Sequence, residues 1–379
     1  MSKKLIQDPH LLHSGSHLKR SRLERLHIDP PLFFGIISLI AIGLVILYSA
    51  ANENWSPLIH QLLWISLSFI VMLVFAQIPP RKYYQWSPWI FSVCILLLIV
   101  VLLTGHSSKG AQRWLNLGFF QFQPSEVVKL AMPMMLAWYL AQKSLPPSFS
   151  TICICGILLI LPLGLVAKQP DLGTAFIIVF TGICVLLLAG IPWRYVITTF
   201  ILSGCGAPFL WHFLHDYQRQ RVLTFLNPEL DPLGSGYHII QSKIAIGSGG
   251  VWGKGYLAGT QSHLQFLPEH TTDFIFGVVG EEFGLLGATL LIFGLTFIVL
   301  RGLYISSQAQ DTFSRLLAGS LSLTFFLSFF INMGMVTGIL PVVGVPLPLV
   351  SYGGSAMLTI MAGLGMMMSI HTHRNLLGR

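Results

Sequence analysis

Pro31-Leu32-Phe33-Phe34-Gly35-Ile36-Ile37-Ser38-Leu39-Ile40-Ala41-Ile42-Gly43-Leu44-Val45-Ile46-Leu47-Tyr48-Ser49-Ala50-Ala51 contains no charged side chain. A helix needs about 20 apolar residues to cross a bilayer core, and this run supplies them. It follows a polar N-terminal segment and exceeds the usual h-region of a signal peptide, about 7–15 residues. It is therefore expected to be a retained first membrane helix. Nine more stretches of the same character follow. The ten expected spans are 31–51, 58–77, 86–104, 125–142, 150–167, 172–190, 194–214, 273–300, 313–337 and 348–370.

The composition agrees. Of 379 residues, 54% are hydrophobic and 9% are charged, and the mean hydropathy is +0.72. A soluble domain carries about 25% charged residues. The totals exclude a soluble globular enzyme, a disordered chain and a disulfide scaffold. The expected fold class is an all-α polytopic membrane protein of about ten transmembrane helices, with one long, partly structured extracytoplasmic loop. Residues 1–30 form a cytoplasmic N-terminal segment, 31–370 the membrane domain with loop 215–272, and 371–379 a cytoplasmic tail.

Basic residues orient the chain. With the N-terminus inside, 14 of the 22 Lys and Arg fall on inside segments, among them Lys3, Arg25, Arg81, Lys143, Arg194, Arg301, Arg315 and Arg374. The short outer connections carry only Lys109, Arg113 and Lys168. By the positive-inside rule both termini are cytoplasmic and loop 215–272 is outside. The net charge of +8 has this origin, or serves an anionic, phosphate-bearing lipid. No basic-aromatic pattern suggests nucleic acid. The five cysteines, Cys94, Cys153, Cys155, Cys184 and Cys205, lie in apolar runs without metal spacing and read as packing residues.

Loop 215–272 holds Tyr237, Ile239, Ile240, Trp252 and Tyr256, which a disordered linker would lack. It is expected to fold back on the membrane surface in short amphipathic pieces. Its Gly247–Gly255 tract is not a P-loop, because position 248 is Ser and Gly255 follows Lys254.

Ionisable groups at membrane depth are costly and mark function. Glu126 and Lys129 share a helix face at the start of the fourth span, as an internal ion pair or part of a site. In Lys168-Gln169-Pro170-Asp171, Asp171 either caps the sixth span or belongs to a site, and Lys168 would sit on the outer face next to the long loop. Asp273 stands at the mouth of the eighth span, as a helix cap or a reactive carboxylate. Gly277, Gly280, Gly284 and Gly287 follow it, a smooth face for another helix or a lipid tail. Glu281 and Glu282 lie deeper. Arg219, Arg221 and Lys243 could clamp phosphate oxygens or snorkel to headgroups. The uncharged stretch Gly338–Pro348 cannot continue a helix and reads as a re-entrant or membrane-surface hairpin against the site. Ser351 through Ser355 would then open the tenth span, by packing or by cradling a polar group.

Several motifs together closely resemble the SEDS family (shape, elongation, division and sporulation). They are Gln123-Pro124-Ser125-Glu126, Gln169-Pro170-Asp171-Leu172-Gly173-Thr174, Tyr237-His238-Ile239-Ile240-Gln241-Ser242, Pro268-Glu269 with Thr272-Asp273-Phe274, and Pro341 through Ser355. The similarity covers almost the whole chain. Segments such as His215–Arg221 and Ser369–Arg374 resemble the elongation branch more than the division branch. One departure is visible. The family usually carries His-Thr-Asp before the Phe, whereas here Thr271-Thr272-Asp273 follows His270.

The resemblance implies a ten-helix glycosyltransferase of the bacterial cytoplasmic membrane that polymerises lipid II into glycan strands on the outer face during elongation. A class B penicillin-binding protein would be its transpeptidase partner, alongside other elongation-complex membrane proteins. The family's essential Asp falls on Asp273, and its functional Glu and Lys fall on Glu126 and Lys129. Arg219, Arg221 and Lys243 are candidates to hold pyrophosphate. Lys168, Asp171, Glu281 and Ser351 are further candidate site residues. No cofactor is required by the sequence, no metal ligands are assigned, and a divalent cation (Mg2+ or Mn2+) is compatible with the chemistry. The competing classes are a lipid II flippase, a structural scaffold and the division-type paralogue. A flippase needs a polar path open to both faces, whereas these groups cluster at the outer mouths.

Overall fold

The structure, a computed structural model, describes residues 27–108, 111–116, 121–213, 216–231, 234–264, 266–267 and 269–373. Lys109, His215, Pro268, the segment before His27 and the tail after His373 lie outside them.

Each of the ten expected spans is occupied by a helix. They are α1 Pro30–Ala50, α2 Trp55–Gln77, α3 Pro80–Thr104, α4 Pro124–Ala141, α5 Phe149–Lys168, α6 Leu172–Leu188, α7 Trp193–Phe213, α11 Ile275–Ser307, α12 Thr312–Val336 and α13 Gly354–Thr372. Seven of them, α1, α2, α3, α5, α11, α12 and α13, are long and apolar enough to cross a membrane. Between α7 and α11 lie α8 Asp216–Leu226, a 3-10 turn at Pro228–Leu230, α9 Ser235–Gly249 and the short α10 Thr260–His263. The expected long loop is thus largely helical.

Local chemistry sets the starts. The Asp29 carboxylate accepts from Leu32 N–H (3.2 Å) with Pro30 and Pro31 at the first positions of α1. Asp311 caps α12 through Ser314 N–H (2.8 Å). Two stretches depart from a purely helical reading. A small antiparallel sheet, β1 His106–Ser108, β2 Ala111–Asn116 and β3 Gln121–Phe122, fills the connection before α4. The tenth helix starts at Gly354 rather than residue 348. Pro346, Pro348 and the left-handed Leu349 (φ 64°) prevent an earlier start.

α12 is the hub, packed against α4, α6, α11 and α13, while α2 lies along α13 and α1 along α11. Large side chains such as Leu290 and Phe293 on α11 face outward, as a lipid-facing surface requires. Cys94, Cys155 and Cys184 are buried packing residues, but Cys153 and Cys205 are exposed on that outer surface.

The eighth span departs most from expectation. α11 runs 33 residues and is broken at Gly284 (φ 61°, ψ −157°). In a membrane every freed backbone group needs a partner. The Gly249–Gly255 tract supplies them. Leu285 N–H donates to Gly250 O (3.0 Å) and Leu286 N–H to Val251 O (3.2 Å), while Lys254 and Gly255 N–H donate to Glu281 O and Glu282 O (3.0 Å each). A Cβ on Gly284 would stand 2.4 Å from Gly253 N, so the splice requires glycine. The glycine face is accordingly shared out. Gly280 packs against Ile246 of α9, Gly277 against Leu267 with Ser242 of α9 beyond it, and Gly284 against Val251 and Gly253, whereas the nearest contacts of Gly287 are with Phe283 of its own helix. Protein, not a lipid tail, covers this face from Gly277 to Gly284.

Candidate functional site

Asp273 sits one residue before Phe274, the cap residue of α11, so it does not hold the capping position. It is half-buried. Its carbonyl accepts from Asn332 Nδ2 at 2.8 Å. Its carboxylate faces the connection 337–353: a Cβ on Gly344 (φ 75°) would stand 3.4 Å from Oδ2. His238 of α9 stacks on Phe274 at 5.5 Å between centroids, so the helical loop borders the same spot. His270, displaced in the motif, bonds Leu267 O through Nδ1 (2.7 Å), a turn contact.

Lys129 and Glu126 form the expected pair, Nζ to Oε2 at 2.6 Å, with both side chains largely buried. Lys129 also lines a cavity of about 60 Å³ with Thr324, Ser328, Val345, Pro346 and Leu364. Asp171 caps α6 through Thr174 N–H (3.2 Å), the plain structural reading, but its other oxygen accepts from Gln123 Nε2 (2.9 Å) and Arg113 lies 3.7 Å away. Two residues on, a Cβ on Gly173 would stand 2.6 Å from Val343 O.

The uncharged hairpin therefore joins the three motifs. Val343 lies on Gly173, Gly344 faces the Asp273 carboxylate, and Val345 and Pro346 wall the Lys129 cavity. Ser351 fixes its far end: Oγ donates to Thr272 O (2.6 Å) and accepts from Leu347 N–H (2.8 Å). Gln61 of α2 brackets the same turn, donating to Ser351 O and accepting from Gly353 N–H (3.3 Å each). Ser351 is thus a fastener of the loop to the Asp273 segment.

Other candidates stand apart. Glu281 is fully buried and taken up by Lys254 Nζ (2.7 Å), Thr260 Oγ1 and Gln261 N–H (3.0 Å each), which fasten the long loop to α11. Lys168 is exposed in the last turn of α5. Arg219 donates to His212 O (2.8 Å). Arg219 and Arg221 are both on α8, and two residues of helix turn side chains about 200° apart, so they cannot form one fork. Lys243 of α9 lies across Gly338, at the near end of the hairpin. Among the described residues no group of three or more His, Cys, Asp or Glu is placed to hold a metal ion.

Sequence reasoning missed Arg113, Gln61 and Asn332. Arg113 follows Asp171 only through the sheet, where its NH2 also bonds Pro170 O (2.5 Å). Asn332 and Gln61 carried a signal as polar groups inside apolar spans, but nothing in their spacing says what they hold.

The fold and site define a polytopic membrane protein in which Asp273, the Glu126–Lys129 pair and the Asp171 turn lie around a proline-rich loop at one end of the helical bundle. Residues 29–376 match the family described as cell cycle protein, which groups FtsW, RodA and SpoVE. The chain is 49% identical over 362 residues to the peptidoglycan glycosyltransferase MrdB of Escherichia coli K12, covering 95% of this chain and 98% of that protein. It superposes with a TM-score of 0.80 and 31% identity on a chain from a structure described as structural coordination of polymerization and crosslinking by a peptidoglycan synthase complex, covering 92% and 99% of the two chains. The rod shape determining protein RodA of Thermus thermophilus gives 0.70 and 26%, over 92% and 98%. The chain belongs to this family, the SEDS proteins.

Proposed function

We propose that the protein is a peptidoglycan glycosyltransferase of the elongation type, polymerising lipid II beside a class B penicillin-binding protein. The observation that carries this is the hairpin 341–348, which brings Asp273, the Lys129 cavity and the Asp171 turn to one place. Relatives that carry the glycosyltransferase name, at near-complete coverage, support the same reading over a flippase or a scaffold.

The donor sugar is α-linked to a polyprenyl pyrophosphate, a good leaving group that needs no general acid. The acceptor 4-hydroxyl of GlcNAc needs a base. Asp273 takes its proton as the oxygen attacks the donor anomeric carbon. The bond to pyrophosphate breaks, the electron pair leaves with it, and the linkage inverts to β. Lys129 and Lys243 both border the hairpin and are candidates to hold the pyrophosphate. A Mg2+ or Mn2+ ion on the pyrophosphate is compatible with the scheme, and EDTA in the assay decides whether it is needed. The basic-residue distribution supports the further proposal that both termini are cytoplasmic and that the site faces outward from the bacterial inner membrane.

The test is polymerisation of lipid II by full-length protein with its transpeptidase partner. Long glycan strands are expected. No polymer from the folded complex, together with lipid II crossing liposome bilayers, would move the assignment to a flippase.

A further inference from the structure

Asn332 lies in the last turns of α12, fully buried among apolar neighbours. Its Nδ2 donates two hydrogen bonds of 2.8 Å, one to the carbonyl of Asp273 and one to the carbonyl of Val345. Both partners are acceptors, so only the amide nitrogen can face them, and the orientation of the group is fixed by chemistry. One NH2 group thereby ties the backbone that carries the Asp273 carboxylate to the hairpin segment that faces it. The neighbours of Val345 are Gly344, against the carboxylate, and Pro346, on the wall of the Lys129 cavity. The amide oxygen is buried with no hydrogen-bond partner among the described residues. Burying that oxygen costs folding free energy that the two donated bonds offset, and an apolar side chain here would leave both carbonyls without their donor. What the position gains is the paired donor.

We propose that Asn332 is a positioning residue for the transferase reaction, setting the distance between the Asp273 carboxylate and the hairpin that faces it. It acts through Asp273 and rests on the reading of that residue as the base. A misplacement of about 1 Å at a reacting group costs up to about 100-fold in rate.

The experiment measures lipid II polymerisation by the full-length protein with its partner, for wild type, Asn332→Leu, Asn332→Ser and Asp273→Ala, each scaled to folded protein by thermal unfolding in detergent. Asn332→Leu keeps the volume and removes both donors. Its unfolding temperature should fall modestly, because two carbonyls lose their donor, while kcat in the protein that remains folded falls about 10- to 100-fold and the KM for lipid II stays within about twofold. Asn332→Ser, the variant to use should Leu fail to insert, should show the same split. Wild-type kcat in a folded variant, a rise in KM with kcat unchanged, or a loss that only tracks unfolding would overturn the proposal. An active Asp273→Ala protein would instead overturn the base on which it depends, a result readable separately in the same run.

Discussion

At the residue scale the ionisable side chains divide into fasteners and candidates for chemistry. Glu281 and Asp171 each have several protein partners and hold loops in place. Glu126 and Lys129 have each other, and Lys129 alone also faces a cavity. Removing one member leaves a largely buried charge, which costs more than the pair is worth. Glu126→Gln and Lys129→Met should each lower the unfolding temperature in detergent, by a loss of about 3 kcal/mol, and the double variant should recover part of it. Polymerisation should fall in all three, because the cavity loses its cation or the geometry that holds it. Full activity in the stable double variant would mean the pair is structural only. The pair was legible in the sequence because Glu and Lys three apart on a helix must meet. Arg219 and Arg221 do not form one patch, since a spacing of two shares a face only on an extended chain and α8 is a helix, and each remains a phosphate candidate by itself.

At the scale of elements, the break in α11 is the feature that periodicity hides. Gly277, Gly280, Gly284 and Gly287 look like one smooth face only if the helix is continuous. Gly284 at φ 61° ends that assumption, and the Gly249–Gly255 tract completes the backbone hydrogen bonding across the break. The tract that invited a nucleotide reading is a close-packing device between backbones. Gly284→Ala would force a Cβ to 2.4 Å from Gly253 N and 2.7 Å from Val251 O in a conformation that L residues avoid. It should lower the unfolding temperature and open residues 250–264 to limited proteolysis. A variant with unchanged stability and proteolysis would show that the break is not held by this splice. Helix positions themselves were easy to read, since about 20 apolar residues leave few alternatives in a bilayer. The hairpin was legible as non-helical from Pro341, Pro346 and Pro348. Its contacts with Gly173, Asp273 and the Lys129 cavity were not, because they join residues far apart in the chain.

At the scale of the whole molecule, the two ends of the bundle are held by different means. At the site end, backbone carbonyls and the side chains of Asn332, Ser351 and Gln61 knit the hairpin to the segment before α11. At the opposite end, one buried ion network ties three helices. Arg301 of α11 donates to both oxygens of Asp29 (2.9 and 2.6 Å), at the start of α1, and His371 of α13 lies 3.4 Å from the same carboxylate. Beside it His27 stacks on His373, with centroids 3.9 Å apart. Asp29 is almost completely buried, so Arg301→Met strands its charge and should cost about 3 kcal/mol in unfolding experiments. Adding Asp29→Asn should return part of the loss, and an unchanged unfolding temperature for the single variant would show that the network carries no stability.

The proposed reaction turns on one carboxylate, Asp273, acting as a base. Asp273→Ala and Asp273→Asn should be compared with wild type in lipid II polymerisation, with the partner transpeptidase present and equal folding verified by thermal unfolding. A loss of about 10²- to 10⁴-fold in both variants is the result expected from removing a general base. Near-wild-type glycan synthesis by either folded variant would contradict it.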